Sequence, residues 1–271
     1  MSYKTILVRA ESDPACDGAI RLAKTVAGMF DAALLGVAAE AFDIAAYGLA
    51  EGELMAALRD QIDVDLTSAK QGFLTQTRGW PAGAQWVSSP EYPLDVMARE
   101  AHGADLVVAS RPQSHASASS SCSPTDLLME SGLPLLLAAD GGAELQAKRV
   151  VVAWRDRREA VRAVSDALPF LERAESVHLV NVSPLAASEA ARAGLETVKQ
   201  RLARHGIAAH TEIVEPAYRS VTGDLEAAAD RYEADLIVAG AYSHSRLREW
   251  VMGGVTQELV AGSKKFVLLS R

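Results

Sequence analysis

Cysteine, aromatic side chains and basic charge are all scarce in this sequence. Its 271 residues include only two cysteines, too few for a disulfide framework or a thiolate metal site. The formal net charge of −8 argues against a nucleic-acid partner, because a surface that follows phosphates needs a basic excess. No apolar stretch approaches the length of about 18–20 residues that crosses a bilayer. These absences predict a globular protein that binds neither nucleic acid nor membrane.

Several enzyme signatures are also missing. The sequence has no G-x-x-x-x-G-K-[ST], no G-x-G-x-x-G after a first strand and no G-x-S-x-G. The six histidines lack the i, i+4 spacing of a helical metal pair. We therefore expect no catalytic residues and no metal site, and at most weak nucleotide hydrolysis.

The first residues enter a strand-like apolar run directly, without the basic flank and long apolar core of an export signal. Together with the low cysteine count, this pattern predicts a protein of the reducing cytoplasm.

Short β-branched runs alternate with longer segments of helical periodicity, which is typical of βαβ units and a parallel sheet. The predicted strands are 4–9, 32–38, 84–88, 104–109 and 134–139 in the first half, and 149–154, 176–182, 209–214, 235–240 and 265–269 in the second. The fold class is therefore α/β, with two tandem, doubly wound, five-stranded parallel sheets of the Rossmann-like kind.

The two halves are a sequence repeat. GADLVVASR at 103–111 matches EADLIVAGA at 233–241, and KTILV matches KRVVV near the two starts. We predict domains at 1–142 and 147–271. The first half has the longer helical stretch, at 51–78.

The richest functional motif is DLIVAGAYSHSRLREWVMGGVT at 235–256, a buried strand that leads into a glycine-bearing loop and then a helix. Ligands of open α/β sheets bind at this carboxyl edge, where helix N-termini attract phosphate. Gly240, Gly253 and Gly254 would let the backbone approach a phosphate closely. Charge or hydrogen bonds would come from His244, Arg246 and Thr256. The alternative is that these glycines end strands and helices for steric reasons alone.

Trp154 and Trp250 flank the same predicted edge and could stack on a base. An aromatic residue at a strand end is more often part of the core, and we favour that interpretation.

The loop resembles the signature of the universal stress protein family, which is Gly, two residues, Gly, nine residues, Gly, then Ser or Thr. This sequence has Gly240, two residues, Ser243, nine residues, Gly253 and then Gly254. The resemblance covers nearly the whole chain, twice, and implies that ATP or another adenine nucleotide, with Mg²⁺, binds the second half. The contacts that it implies are Gly240, Ser243, Gly253, Gly254, Val255 and Thr256, with Val182 near the base.

The chain departs from this family pattern at several positions. Arg155 stands where the family has an Asp after the first strand, and Asp156 follows one place later. Ser243 adds bulk, and Gly254 lacks the hydroxyl that Thr256 would supply only in part. The first half holds glycine at none of the motif positions, so we expect no nucleotide there. Its Ser-rich loop before Pro124 is interpreted as a connector, or else as an anion-binding or phosphorylated surface.

By resemblance, the chain is a tandem stress-response regulatory protein whose halves pack as a pseudo-dimer through their final strands; the sequence leaves open whether two chains also form a homodimer. The alternative function is a scaffold or protein-interaction module that binds no nucleotide and recruits an unidentified protein partner.

Overall fold

The structure of the chain is a computed structural model that describes residues 2–11, 16–41, 52–111, 122–139, 143–184, 188–218, 220–241 and 254–271. The chain divides into two compact units, Ser2–Ala138 and Ala139–Arg271. Both units are α/β folds, which confirms the predicted fold class. Within the described residues, no helix is long and apolar enough to span a bilayer.

The first unit contains a five-stranded parallel sheet in the order β3-β2-β1-β4-β5. Its strands are β1 (Thr5–Arg9), β2 (Ala33–Ala39), β3 (Ala84–Ser89), β4 (Leu106–Ala109) and β5 (Leu135–Leu137). Its helices are α1 (Cys16–Phe30), α2 (Gly52–Gln76), α3 (Pro93–Ala101) and α4 (Pro124–Ser131). The predicted long helical stretch at 51–78 is thus confirmed as α2.

The second unit repeats this topology, with the sheet order β8-β7-β6-β9-β10 and parallel pairing throughout. Its strands are β6 (Arg149–Ala153), β7 (Ser176–Val182), β8 (Ala209–Val214), β9 (Leu236–Gly240) and β10 (Phe266–Ser270). Its helices are α5 (Arg158–Leu171), α6 (Ser188–Arg204), α7 (Val221–Arg231) and α8 (Gly254–Gly262). All ten predicted strands are therefore confirmed.

The central strands are buried on both faces, as their unbroken apolar runs require. Val150, Val151 and Val152 of β6 are each at most 1% exposed. From β6 the chain continues to β7 on one side, while β9 pairs on the other. The direction of the chain thus changes between β6 and β9, and in such sheets ligands usually bind at the carboxyl ends of the two strands at this point.

An aspartate at the opposite edge ties the strands together in the same way in both units. In the first unit, Asp105 Oδ2 accepts hydrogen bonds from two backbone N–H groups at the start of β1, at 2.7 and 2.9 Å. In the second, Asp235 Oδ2 accepts from two N–H groups just before β6, at 2.6 and 3.1 Å. These residues are the Asp of the repeated D-L-[VI]-V segment, so the repeat preserves a structural clamp.

Candidate functional site

The carboxyl ends of β6 and β9 lie side by side in the second unit. Ala153 is in register with Ala239, so the segment that leaves β6 towards α5 begins next to Gly240. Gly240 itself is paired with Ser270 of β10. Of the predicted site residues, Trp154, Arg155 and Gly240 therefore lie at the same edge of the sheet.

The segment between β6 and α5 carries exposed charge. Arg155, Asp156, Arg157 and Arg158 are all exposed. The Arg155 side chain makes no hydrogen bond or ion pair with the residues that the structure describes, and the Arg157 side chain makes only a 3.5 Å contact from Nη1 to the Asp156 carbonyl. Arg155 and Arg157 are therefore available to an anion at this edge.

Glu159 opposes that positive charge, and its place at this edge was not predicted from the sequence. Its side chain is 6% exposed, and Oε1 accepts a 2.8 Å hydrogen bond from Arg158 Nε. Burial raises the pKa of the Glu159 carboxyl. The Arg158 hydrogen bond, a backbone hydrogen bond and the charges of Arg158 and Arg157 together lower it by more, so the pKa lies below its usual value. The group is consequently an anion, and its other oxygen, Oε2, has no hydrogen-bond partner.

Gly240 has a steric reason to be glycine. A Cβ at this position would lie 2.5 Å from the Glu159 carbonyl carbon and 2.6 Å from the Ala160 nitrogen. Both are backbone atoms of the first turn of α5, so no side-chain rotation could make room. The steric alternative given for Gly240 is thus supported by the structure, whereas its contact with a phosphate stays a prediction.

Trp154 lies in the core, as the sequence favoured. It is 7% exposed, its backbone N–H donates to Val180 at 2.8 Å, and its carbonyl accepts from Asn181 Nδ2 at 2.9 Å. The indole ring packs against Gly194 of α6, where an added Cβ would lie 3.4 Å from Trp154 Nε1.

The first turn of α8 carries no acidic residue. Gly254 is exposed, its φ is outside the left-handed region, and a Cβ placed there would meet no atom within 4 Å. Neither packing nor backbone conformation therefore requires glycine at 254. Val255 is partly buried and Thr256 is 5% exposed. Four predicted site residues lie outside the described residues: Ser243, His244, Arg246 and Gly253, as does Trp250.

Val182, predicted near a base, ends β7 and is partly exposed. It packs against the same apolar cluster as Val255, which includes Val151 and Val180. The structure thus brings the end of β7 and the start of α8 to one patch of the core.

The equivalent edge of the first unit is occupied by its own side chains. Arg9, at the end of β1, is ion-paired with Glu11, and its Nη1 donates to the Cys122 carbonyl at 2.5 Å. The following helix, α4, is capped by Ser123, whose Oγ accepts from the Asp126 N–H at 3.1 Å. The Asp126 carboxylate therefore lies in the turn where a phosphate would bind.

A cluster of aromatic and histidine side chains lies on β7 and β8, near the other end of the strands. His178 stacks on Tyr232 with ring centroids 3.6 Å apart, and its ring centroid is 5.4 Å from that of His210. Burial and then the charge of His210 lower the pKa of His178, whereas Glu212 opposes the shift. Glu212 is itself bound by the Tyr232 hydroxyl at 2.6 Å and by Arg231 at 2.8 Å.

Cys16 and Cys122 are both buried and form no disulfide. Burial raises the pKa of the Cys122 thiol to about 11. The described ranges contain no group of three or more His, Cys, Asp or Glu side chains arranged to hold a metal ion.

Residues 146–271 match the family model described as the Universal stress protein family. A universal stress protein from Archaeoglobus fulgidus DSM 4304 superimposes with a TM-score of 0.72 at 13% identity, covering 98% of each chain. A Pseudomonas aeruginosa PAO1 protein, described as functionally unknown, gives 0.63 at 16% identity and covers 99% of this chain and 92% of its own. At these identities the structural likeness shows the fold. No curated protein sequence matches the chain.

Proposed function

The chain carries a universal stress protein domain at residues 146–271, and from that premise we propose that this domain binds ATP or another adenine nucleotide. The phosphates would lie at the carboxyl edge of β6 and β9, between Arg155 and Arg157 on one side and the first turn of α8 on the other. The first unit would bind no nucleotide. The protein would then act as a regulator of a stress response, without efficient turnover of the nucleotide.

The difference between the two carboxyl edges carries this proposal. In the first unit, Arg9 is already bound to the Cys122 carbonyl, and Asp126 lies in the first turn of α4. In the second unit, the Arg155 side chain has no partner among the described residues, and the first turn of α8 has no acidic residue. The described residues of the two edges therefore differ in the charge that they offer to a phosphate.

Physical chemistry favours an anion at the second edge. The N-terminus of a helix has free N–H groups and a partial positive charge, equivalent to roughly half an elementary charge. Gly254 leaves space next to that turn. The Glu159 carboxylate opposes binding, so the arginines and α8 must outweigh it. Magnesium would arrive with the nucleotide, because Mg²⁺ at such sites is held largely by the substrate phosphates.

Gly254→Asp tests the proposal in the full-length chain by calorimetric titration with ATP. An Asp in the first turn of a helix is favourable for folding, by about 0.3–1 kcal/mol, yet it repels phosphate. We expect the variant to unfold at the same temperature as the wild type or higher, and to bind ATP at least about tenfold more weakly, a difference of about 1.4 kcal/mol.

Gly254→Ala is the matched control, because the added Cβ meets no atom within 4 Å and carries no charge. It should bind ATP as the wild type does. Equal affinities of the Asp and Ala variants would place the phosphates elsewhere, and no binding to the wild type at millimolar ATP would end the proposal.

The second candidate function is an interaction module that binds no nucleotide. Gly240 favours it, since close packing against α5 explains that glycine without a ligand. Capture of a protein partner that is equally strong for wild type and Gly254→Asp, with no ATP bound by either, is its expected signature. In either case we propose a cytoplasmic location, which the absence of a disulfide between Cys16 and Cys122 supports.

A further inference from the structure

Three valines from different elements of the second unit pack against one apolar cluster, and a hydroxyl residue follows each of them. The cluster includes Val151, Val180 and Leu225. The three valines are Val182, Val221 and Val255. The residues that follow them are Ser183, Thr222 and Thr256. The end of β7 and the starts of α7 and α8 therefore bring hydroxyl groups to the rim of a single apolar patch.

Three polar atoms near this rim are buried and have no hydrogen-bond partner: Ser183 Oγ, Thr222 Oγ1 and Asp224 Oδ2. Thr222 is 6% exposed and Asp224 is 2% exposed. The other carboxylate oxygen of Asp224 is occupied, because it accepts the backbone N–H groups of residues 217 and 218 at 3.0 and 3.1 Å.

Such a group of unpartnered atoms is unusual in a folded protein. Nearly all buried polar side chains have a hydrogen-bond partner, and a hydroxyl group can rotate to find one. The sheet topology places these residues at the same carboxyl edge. The Ser183 N–H donates to the Val214 carbonyl at 3.0 Å at the end of β8, and α7 begins seven residues further along the chain. A ligand that brings hydrogen-bond donors to this edge would satisfy all three.

We propose that Ser183, Thr222 and Asp224 bind the nucleoside part of the nucleotide through its uncharged hydrogen-bond donors. This inference rests on the proposed function. An ionised carboxylate only accepts hydrogen bonds, so Asp224 selects an N–H or O–H group and repels a phosphate. The donors available on an adenine nucleoside are the exocyclic amino group of the base and the ribose hydroxyls. The apolar patch around Val182 and Val255 would contact the face of the base.

Thr222→Val tests the proposal, because it replaces the hydroxyl with a methyl group of similar shape. The full-length wild type and variant are titrated with ATP, with ITP, which has an oxo group in place of the amino group, and with 2′-deoxy-ATP. We expect the wild type to prefer ATP over one of the two analogues by at least about fivefold, the effect of roughly one hydrogen bond. That analogue identifies the donor group. Thr222→Val should bind ATP and that analogue equally, and should be as stable as the wild type.

Thr197→Val is the matched control, since Thr197 lies on the exposed face of α6 and its hydroxyl already donates to the Ala193 carbonyl at 2.9 Å. It should keep the preference. Ser183→Ala serves as a second variant of the lining and should weaken the preference too. If ATP binds but Thr222→Val and Ser183→Ala keep the wild-type preference, these residues do not contact the nucleoside, while the proposed function stands. If the wild type binds no nucleotide, both fall together.

Discussion

Replacing Gly240 by alanine should destabilise the second unit even when no nucleotide is present. The new Cβ would lie 2.5, 2.6 and 2.7 Å from three backbone atoms of Glu159 and Ala160. Comfortable carbon contacts are about 3.5–4.0 Å, so α5 would have to move by roughly 1 Å. Overpacking of this kind costs about 1–3 kcal/mol, and the upper value applies because no side chain can yield. At about 2–4 °C for each kcal/mol, the unfolding temperature should fall by roughly 6–12 °C.

Thermal unfolding followed by circular dichroism, without added nucleotide, measures this effect. Gly254→Ala provides the comparison, since its Cβ meets no atom within 4 Å and should change the stability by no more than about 1 kcal/mol. A Gly240→Ala protein that unfolds at the wild-type temperature would refute the steric argument. The glycine would then need another explanation, of which close approach to a ligand is the first.

Two further predictions concern the parts of the second unit away from this edge. Asp235→Ala removes the acceptor of two backbone N–H groups and should lower the free energy of unfolding by about 2 kcal/mol in urea titrations. Asp235→Asn should recover part of this loss. An unchanged free energy of unfolding would contradict the role of Asp235 as a structural clamp. The pKa of His178 is lowered on folding, so the unfolded chain binds more protons and stability should fall as the pH drops below the ordinary His value of 6.5. His178→Phe, which keeps a ring against Tyr232, should weaken this dependence, and an identical pH profile would count against it.

The sheets were predictable from sequence because buried parallel strands are continuous apolar runs. VVV at 150–152 and LIV at 236–238 became β6 and β9, and the limits of the ten strands differ from the predicted ones by at most two residues. Strand pairing in this fold then fixes which chain segments meet at the carboxyl edge. The position of the candidate site was therefore available from the sequence as well.

The contacts that give the site its character could not be predicted. Arg9 reaches Cys122 across 113 positions of sequence, and Asp235 reaches residue 146 across 89. Local patterns contain no record of such contacts. The same limit applies to Gly240, because its steric requirement comes from backbone atoms of α5, about 80 positions earlier in the sequence.

The missed residues were polar ones whose neighbours decide their role. Glu159 follows three arginines and one aspartate, a pattern typical of a solvated helix start, yet its side chain is 6% exposed. Thr222 and Asp224 look like ordinary first-turn residues of a helix, and only their burial without partners singles them out. A buried hydroxyl that finds no partner has no signal in the sequence.

Hydrogen–deuterium exchange of the full-length chain, with and without saturating ATP, would show which unit binds the nucleotide. We expect one nucleotide per chain and slower exchange confined to the second unit, in the segments around 154–160 and 254–262, with no change at 122–131. Protection at 122–131 in the first unit, or no protection anywhere at saturating ATP, would contradict this expectation.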